Sequence, residues 1–306
     1  MYPLHIYYLE DNHENFHELE KLERVTETIK YLKNRFFLKL FVNENDISYK
    51  DEDILNYLKM IYSDKYIKML QTINPNKKYI RIDQDTHLTP YSYQEIIKSN
   101  ALIMNALDKI QSKYIQYAYC LVRPPSHHSS CDHHSGFCLV NNTYLAAEQG
   151  VNLMKGKVLI LDWDLHHGDG TESLVQERKN ENIHFISIHC YAKGFYPGTG
   201  SSKKNCLRIK NYPMSKYSND EDYFEIFENI YKQIEEENYK LIIISNGLDA
   251  HKDDTFTMMS LSTDFYRKVT KKLKEYKIPL LYILEGGYNI DVIKDVSENL
   301  INTLMS

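Results

Sequence analysis

Short, continuous apolar runs alternate along this chain with stretches whose apolar residues recur every three or four positions. The runs Tyr117–Val122, Lys157–Trp163, His184–Ile188, Lys240–Ser245 and Pro279–Leu284 predict buried strands. Each is apolar throughout rather than alternating, the pattern of a parallel sheet covered by helices on both faces. Helices are predicted between them. Ser92-Tyr93-Gln94-Glu95 and Ser218-Asn219-Asp220-Glu221 match the capping box, in which Ser and Glu satisfy orphan backbone N–H groups. Ile96, Ile103, Leu107 and Ile110 follow the first box at helical spacing, and Tyr223, Phe227, Ile230 and Ile234 follow the second. Phe16, Leu19, Leu22, Ile29 and Leu32 predict an early amphipathic helix, and Ile293, Val296, Leu300 and Leu304 a closing one. These stripes are core-packing faces. The strand–helix–strand alternation predicts an α/β fold, a single-domain three-layer αβα sandwich with a central parallel sheet.

Composition narrows the class. The chain has 306 residues and no Pro/Gly/Ser-rich linker, long charge block or internal repeat, so one domain over residues 1–306 is expected. Hydrophobic residues at 42% and charged residues at 26% exclude disordered and low-complexity classes. With 37 basic against 42 acidic side chains, the net charge is −5, which argues against direct nucleic-acid binding. The segment MYPLHIYYLEDNHE lacks a basic start followed by an apolar stretch, and the longest apolar runs, such as Leu241–Ile244 and Ile278–Leu284, are far too short for a membrane span. A soluble, intracellular protein is expected, in the cytoplasm first and with the nucleus also open. Cys120, Cys131, Cys138, Cys190 and Cys206 are odd in number with no CxxC pair, so neither a disulfide framework nor a four-cysteine zinc site is expected.

The 13 histidines are informative by placement. Polar residues gather just after the predicted strands: Arg123-Pro-Pro-Ser-His127-His128, Asp164-Leu-His166-His167-Gly-Asp169 with Asp162 inside its strand, Asn246-Gly-Leu-Asp249-Ala-His251, and Glu285-Gly286-Gly287-Tyr288-Asn289. Parallel α/β sheets bind ligands outside the carboxyl ends of their strands, so four strands delivering Asp, His and Tyr to one edge predict a site. On an extended segment Asp164 and His166 point the same way. Asp249, after another strand, would complete a three-ligand metal site with an open position. Asp162 and Asp169 are placed to orient the His127–His128 pair, as a general base requires. Two glycines before Tyr288 allow its hydroxyl to approach an oxyanion. Cys131, His133, His134 and Cys138 match no common zinc module and are read as a polar loop with one small buried thiol; His5, His13, His17, His87 and His184 are read as structural or exposed.

Together, Arg-Pro-Pro-Ser-His127-His128, Gly136-Phe137-Cys138, Asp162-Trp-Asp164-Leu-His166-His167-Gly-Asp169-Gly, Phe195-Tyr196-Pro-Gly198, Gly247-Leu-Asp249-Ala and Leu284-Glu-Gly-Gly-Tyr288-Asn resemble the zinc-dependent histone deacetylase and acetylpolyamine amidohydrolase family, nearer its class II and bacterial branch. Weaker echoes, His17-Glu18 through Arg24, Ile61 through Tyr66, and Asp85-Thr86, extend the resemblance along nearly the whole chain. The resemblance implies an arginase/deacetylase-like fold and one zinc ion held by Asp164, His166 and Asp249. It implies His128 as general base and acid, held by Asp169, with His127 as its electrostatic partner, held by Asp162. Tyr288 would polarise the acyl carbonyl. Phe137 and Tyr196 would line a tunnel for the acylated chain, Tyr196 standing for the usual Phe or Trp, with Gly136, Gly287 and Phe256 completing the substrate contacts. A potassium ion is implied at Asp162, Asp164, His166, Ser187 and Ile188, largely through backbone carbonyls.

The activity so implied is hydrolysis of N-acetyl or longer acyl groups from lysine side chains in proteins such as histones, or from acetylated polyamines. Ser126 for the usual Gly, Asn246 for a frequent Ala, a shortened stretch at Ser201–Lys210 and Thr255-Phe256-Thr257 for Pro-Leu-Gly depart from the family pattern. The last two alter the rim. A binuclear ureohydrolase is disfavoured because the Gly-Leu-Asp249-Ala motif lacks a second aspartate. An inactive acyl-lysine-binding scaffold is disfavoured because no ligand or catalytic group is missing. Oligomeric state is not encoded in any motif.

Overall fold

A computed structural model describes residues 3–10, 17–72 and 78–306. Its strands are β1 (Leu4–Tyr8), β2 (Phe41–Asn43), β3 (Ile80–Arg81), β4 (His87–Leu88), β5 (Tyr117–Leu121), β6 (Val158–Asp162), β7 (Ile183–Cys190), β8 (Ile209–Met214), β9 (Leu241–Asn246) and β10 (Leu280–Leu284). The helices are α1 (Glu23–Lys33), α2 (Asp51–Leu58), α3 (Asp64–Gln71), α4 (Ser92–Gln111), α5 (Asn142–Met154), α6 (Asp169–Arg178), α7 (Asp220–Glu237), α8 (Thr263–Glu275) and α9 (Ile290–Met305).

Eight strands form one parallel sheet in the order β2-β1-β5-β10-β9-β6-β7-β8, and β3 and β4 form a small antiparallel pair. Successive strand residues face opposite sides. Leu159, Leu161, Ile242 and Ile244 pack with α1, α7, α8 and α9, whereas Val158, Ile160, Leu241 and Ile243 pack with α2 to α6. Both faces are therefore covered, which is why the strand sequences are apolar at every position. After β5 the chain crosses by α5 to β6, leaving a gap that β9 and β10 later fill. The four central strands thus come from distant parts of the chain and end side by side.

The five predicted strands are present within two residues at each end. In the main sheet β1, β2 and β8 are additional, as is the separate β3–β4 pair; β8, at the sheet edge, carries Lys210, Asn211 and Pro213, which only an edge tolerates so readily. Three helix starts differ from expectation. The early helix begins at Glu23, not before Leu19, and Phe16 lies outside the described residues. Here His17 Nδ1 accepts from the N–H groups of Leu19 and Glu20, and the Glu20 side chain turns inward to Arg24 and Arg123. Ser92 is not a cap: it is the first residue of α4, its Oγ accepts from Thr89 N–H, and Glu95 faces Arg123 at 3.9 Å. At α7 the capping box is one residue later, with Asn219 and Asp222 as the reciprocal pair, while Ser218 donates to the Ser215 carbonyl.

Candidate active site

The loops after β5, β10, β9 and β6 meet because those strands are neighbours. Asp164 and His166 follow β6, and Asp249 follows β9. One ligand atom of each lies within 4.8 Å of the others, with all three residues buried. His166 Nδ1 lies 3.1 Å from Asp164 Oδ1 and 3.0 Å from Asp249 Oδ2. Backbone N–H groups orient the carboxylates: His166 and Gly286 donate to the two oxygens of Asp164, and Leu165 donates to Asp249 Oδ1. Asp249 Oδ2 is buried without an aligned donor. Burial alone would lower the His166 pKa, but hydrogen bonding and charge from Asp164 and Asp249 raise it to about 9. The cluster attracts positive charge.

These residues fit a dication. Two carboxylates balance its charge, an imidazole supplies the third donor, and an unsatisfied buried oxygen faces the centre. A Cβ at position 286 would stand 2.5 Å from Asp249 Oδ2 and 2.6 Å from Asp164 Oδ2, so only glycine leaves the cluster room. Among the described residues this is the one His/Cys/Asp/Glu group with such geometry. Cys131, His133, His134 and Cys138 form no second one; Cys131 Sγ contacts the Ile61 carbonyl and His134 stacks on Tyr66.

His127 and His128 follow β5, with ring centroids 4.0 Å apart. His127 Nδ1 lies 3.1 Å from Asp162 Oδ2, at the end of β6, and His128 Nδ1 lies 2.6 Å from Asp169 Oδ1, at the start of α6. Burial would lower both imidazoles, yet their pKa values diverge. The charges of Asp164 and Asp162 raise His127 well above the ordinary value. Burial, reinforced by the positive charge of His127, lowers His128 to about 4 against the opposing pull of Asp169. The two neighbouring imidazoles are thus shifted in opposite directions.

A cavity of about 250 Å³ opens above these groups, lined by Asp85, Pro125, His127, His128, Gly136, Phe137, His166, Phe195, Tyr196, Phe256, Gly286 and Tyr288. Its walls are aromatic. Phe195 stacks on His166 at 5.2 Å, Tyr196 meets His128 edge-on at 4.9 Å, and Phe256 meets both His166 and Tyr288 edge-on. The Tyr196 hydroxyl is bonded to Ser135 Oγ, joining two walls. Gly136 has φ +53°, and a Cβ there would lie 2.4 Å from His128 Cδ2. Phe137 itself holds φ +68°, an unusual conformation for an aromatic residue. Burial pushes the Tyr288 hydroxyl pKa well up, and Asp249 adds to this, so it keeps its proton at neutral pH.

Most residues singled out from sequence converge here. Asp162 and Asp169 stand behind the histidines rather than on the cavity wall. Gly287, expected on the substrate path, faces Leu248, and Gly286 takes the lining position. Asp162 pairs with Ser187 across the β6–β7 ladder and Ile188 follows within β7, while Asp164 and His166 lie in the loop after β6. Sequence reading gave no role to Phe195, Asp85 or Pro125, and read His17 and His87 as structural or exposed. The His17 ring packs 4.4 Å from Phe137 and 5.9 Å from His87. Only the adjacency of Phe195 to Tyr196 and of Asp85 to Thr86 in quoted motifs hinted at the first two.

Known proteins are similar to this chain in sequence and fold. Histone deacetylase 15 of Arabidopsis thaliana is 30% identical over 260 residues, which cover 81% of this chain and 46% of the plant protein. An uncharacterized protein of Methanocaldococcus jannaschii is 31% identical over 90% of this chain and 79% of its own length. Acetylpolyamine amidohydrolase 2 of Pseudomonas aeruginosa is 27% identical over 74% of this chain and 66% of its own. The chain thus spans less than half of its plant relative. The crystal structure of the HDA15 HD domain superposes with a TM-score of 0.87 at 27% identity, covering 98% of this chain and 90% of that one. Acetylpolyamine aminohydrolase from Burkholderia pseudomallei shares the fold, with a TM-score of 0.82 at 18% identity and 98% coverage of both chains. The histone deacetylase domain model matches residues 18–304, and on that span, this fold and this site the chain belongs to the histone deacetylase domain family.

Proposed function

We propose that this chain is a zinc-dependent deacetylase that hydrolyses the amide of N-acetyl or longer N-acyl lysine side chains in proteins such as histones, releasing the carboxylate and the free amine. One observation carries the reading: an aromatic-walled cavity ends on a buried Asp-His-Asp cluster, a histidine pair held by Asp162 and Asp169, and a tyrosine that keeps its proton. An unbranched alkyl stem suits walls made by Phe137, Phe195, Tyr196 and Phe256.

Zinc held by Asp164, His166 and Asp249 would supply Lewis acidity toward the acyl carbonyl and the attacking water. The chain's own groups do the proton work. His128 is tied to Asp169 through Nδ1, which leaves Nε2 to take a proton from the water and return it to the leaving amine. His127, bound to Asp162, keeps its positive charge beside the reacting centre. Tyr288 donates its hydroxyl proton in a hydrogen bond to the oxygen on which negative charge develops. The aromatic walls exclude water from the acyl-bearing chain. The same reading assigns potassium to Asp162, Asp164, His166, Ser187 and Ile188, and it gives turnover that rises when KCl replaces a bulky-cation salt at equal ionic strength.

An acetylpolyamine is the second substrate class, favoured by the Asp85 carboxylate on the cavity lining, where a second ammonium group would be attracted. A deacylation panel of acetyl-lysine peptides, longer acyl-lysine peptides, acetylspermidine and acetylputrescine decides. Peptide turnover with little polyamine turnover is expected; the reverse replaces the lysine reading with the polyamine one, and no turnover of any member by zinc-loaded protein refutes both.

A further inference from the structure

Glu285 directly follows β10 beneath the site and has no place on the cavity wall. Its side chain is fully buried, and both carboxylate oxygens are occupied. Oε2 accepts from the backbone N–H of Ser126 at 2.5 Å and of His127 at 3.2 Å. Oε1 accepts from the hydroxyls of Ser126 at 2.5 Å, Thr143 at 3.0 Å and Ser245 at 3.3 Å. These three hydroxyl-bearing side chains are themselves fully buried, and Thr143 Oγ1 lies 3.2 Å from each of the other two hydroxyls. A buried carboxylate is costly unless every lone pair is used, and here five donors use them.

The carboxylate therefore binds the start of the histidine-pair loop to the turn that carries Tyr288. Within that turn the Gly286 N–H donates to Asp164, and Arg24 donates to the carbonyls of Gly287 and, through a very short bond, Glu285. One five-residue turn thus touches the metal cluster, the histidine pair and the tyrosine. We infer that Glu285 is a positioning residue for catalysis: by accepting the Ser126 and His127 N–H groups it sets where the His127 and His128 rings stand relative to Asp164 and Tyr288. Misplacing reacting groups by about 1 Å is enough to cost a hundredfold in rate, so the anchor acts on turnover and not on substrate capture.

The inference rests on the deacylase reading, and two readouts keep the two separable. Full-length, zinc-loaded protein is compared with Glu285→Gln, Glu285→Asp and Glu285→Leu. Gln keeps an oxygen for the two backbone N–H groups while its amide donates to the hydroxyls. Asp withdraws the carboxylate by one methylene, and Leu removes it. Expected is a kcat per folded molecule lowered tenfold or more in the Asp and Leu variants, with KM within twofold and most of kcat retained by Gln. Hydrogen exchange at the Ser126 and His127 amides should quicken in the same two variants. Unchanged kcat in Glu285→Asp, a loss confined to KM, or unchanged exchange would overturn the inference. Should Glu285→Leu not fold, the Asp variant alone decides. A wild-type protein that deacylates nothing defeats the deacylase reading, while the exchange data still test the anchor.

Discussion

Tyr288 shows how one side chain's environment sets its use. Its ring packs edge-on against Phe137 and Phe256, with the Arg24 guanidinium 5.1 Å from the ring centroid, and burial near Asp249 holds its proton on. Removing the hydroxyl leaves these ring contacts in place. Tyr288→Phe should lower kcat by about a hundredfold, the scale for losing one oxyanion donor, with zinc content unchanged. Steady-state kinetics beside metal analysis by mass spectrometry checks this; normal turnover in the folded variant removes Tyr288 from the mechanism. The histidine pair makes a related point. Two neighbouring residues of one type differ because His127 faces the carboxylates of Asp162 and Asp164, whereas His128 has Asp169 and a charged neighbour.

At the level of elements, the segment before α1 is held to the sheet by charge rather than by helical periodicity. Glu20 accepts two bonds from Arg123, at 2.6 and 2.9 Å, and pairs with Arg24 at 3.2 Å, all three side chains being 1% exposed. Burial would raise the Glu20 pKa, but the two guanidinium groups, Arg123 foremost, bring it below its ordinary value of 4.5. The unfolded chain therefore binds the proton more tightly than the folded one. This contribution to stability is complete above pH 4.5 and is lost as pH falls through the depressed value. Urea unfolding from pH 6 to pH 3 should show a steeper loss in wild type than in Glu20→Gln. At pH 7 that variant should be less stable by about 3–5 kcal/mol, the scale for breaking a buried pair on one side. Equal pH slopes would show that the cluster contributes no such linkage. The same cluster explains why helical spacing misled at Leu19 and Leu22: a buried ionic network and the His17 ring claimed the local backbone first.

For the molecule as a whole, sheet order does the assembling. β5, β10, β9 and β6 are adjacent although their residues span positions 117 to 284, so the Asp164–His166–Asp249 cluster, the histidine pair and Tyr288 meet only once the sheet is closed. A dication bound there links two loops from separate strands and stabilises the folded chain by mass action, about 4 kcal/mol when its concentration is a thousand times Kd. A chelator should therefore abolish deacylation and lower Tm by several degrees. The chelator-induced drop should vanish in Asp249→Ala, and calorimetry of both proteins with and without chelator measures it. A chelator with no effect on wild-type Tm would place the metal elsewhere. No helix among the described residues is long and apolar enough to cross a membrane.

The sequence by itself determined the covered parallel sheet, because strands buried on both faces must be apolar at every position. It also determined the chemistry available at their ends, because Asp-x-His, His-His and Gly-Gly-Tyr are local patterns whose geometry follows from backbone spacing. Tertiary structure alone decided three things. It chose which strands became neighbours, and so placed Asp249 beside His166 and Glu285 under His127. It brought Phe195 and Asp85 onto the cavity wall and packed His17 against Phe137. It also shifted the two neighbouring histidines in opposite directions. Each depends on contacts between residues far apart in the chain, and on fields from buried charges that no local spacing encodes.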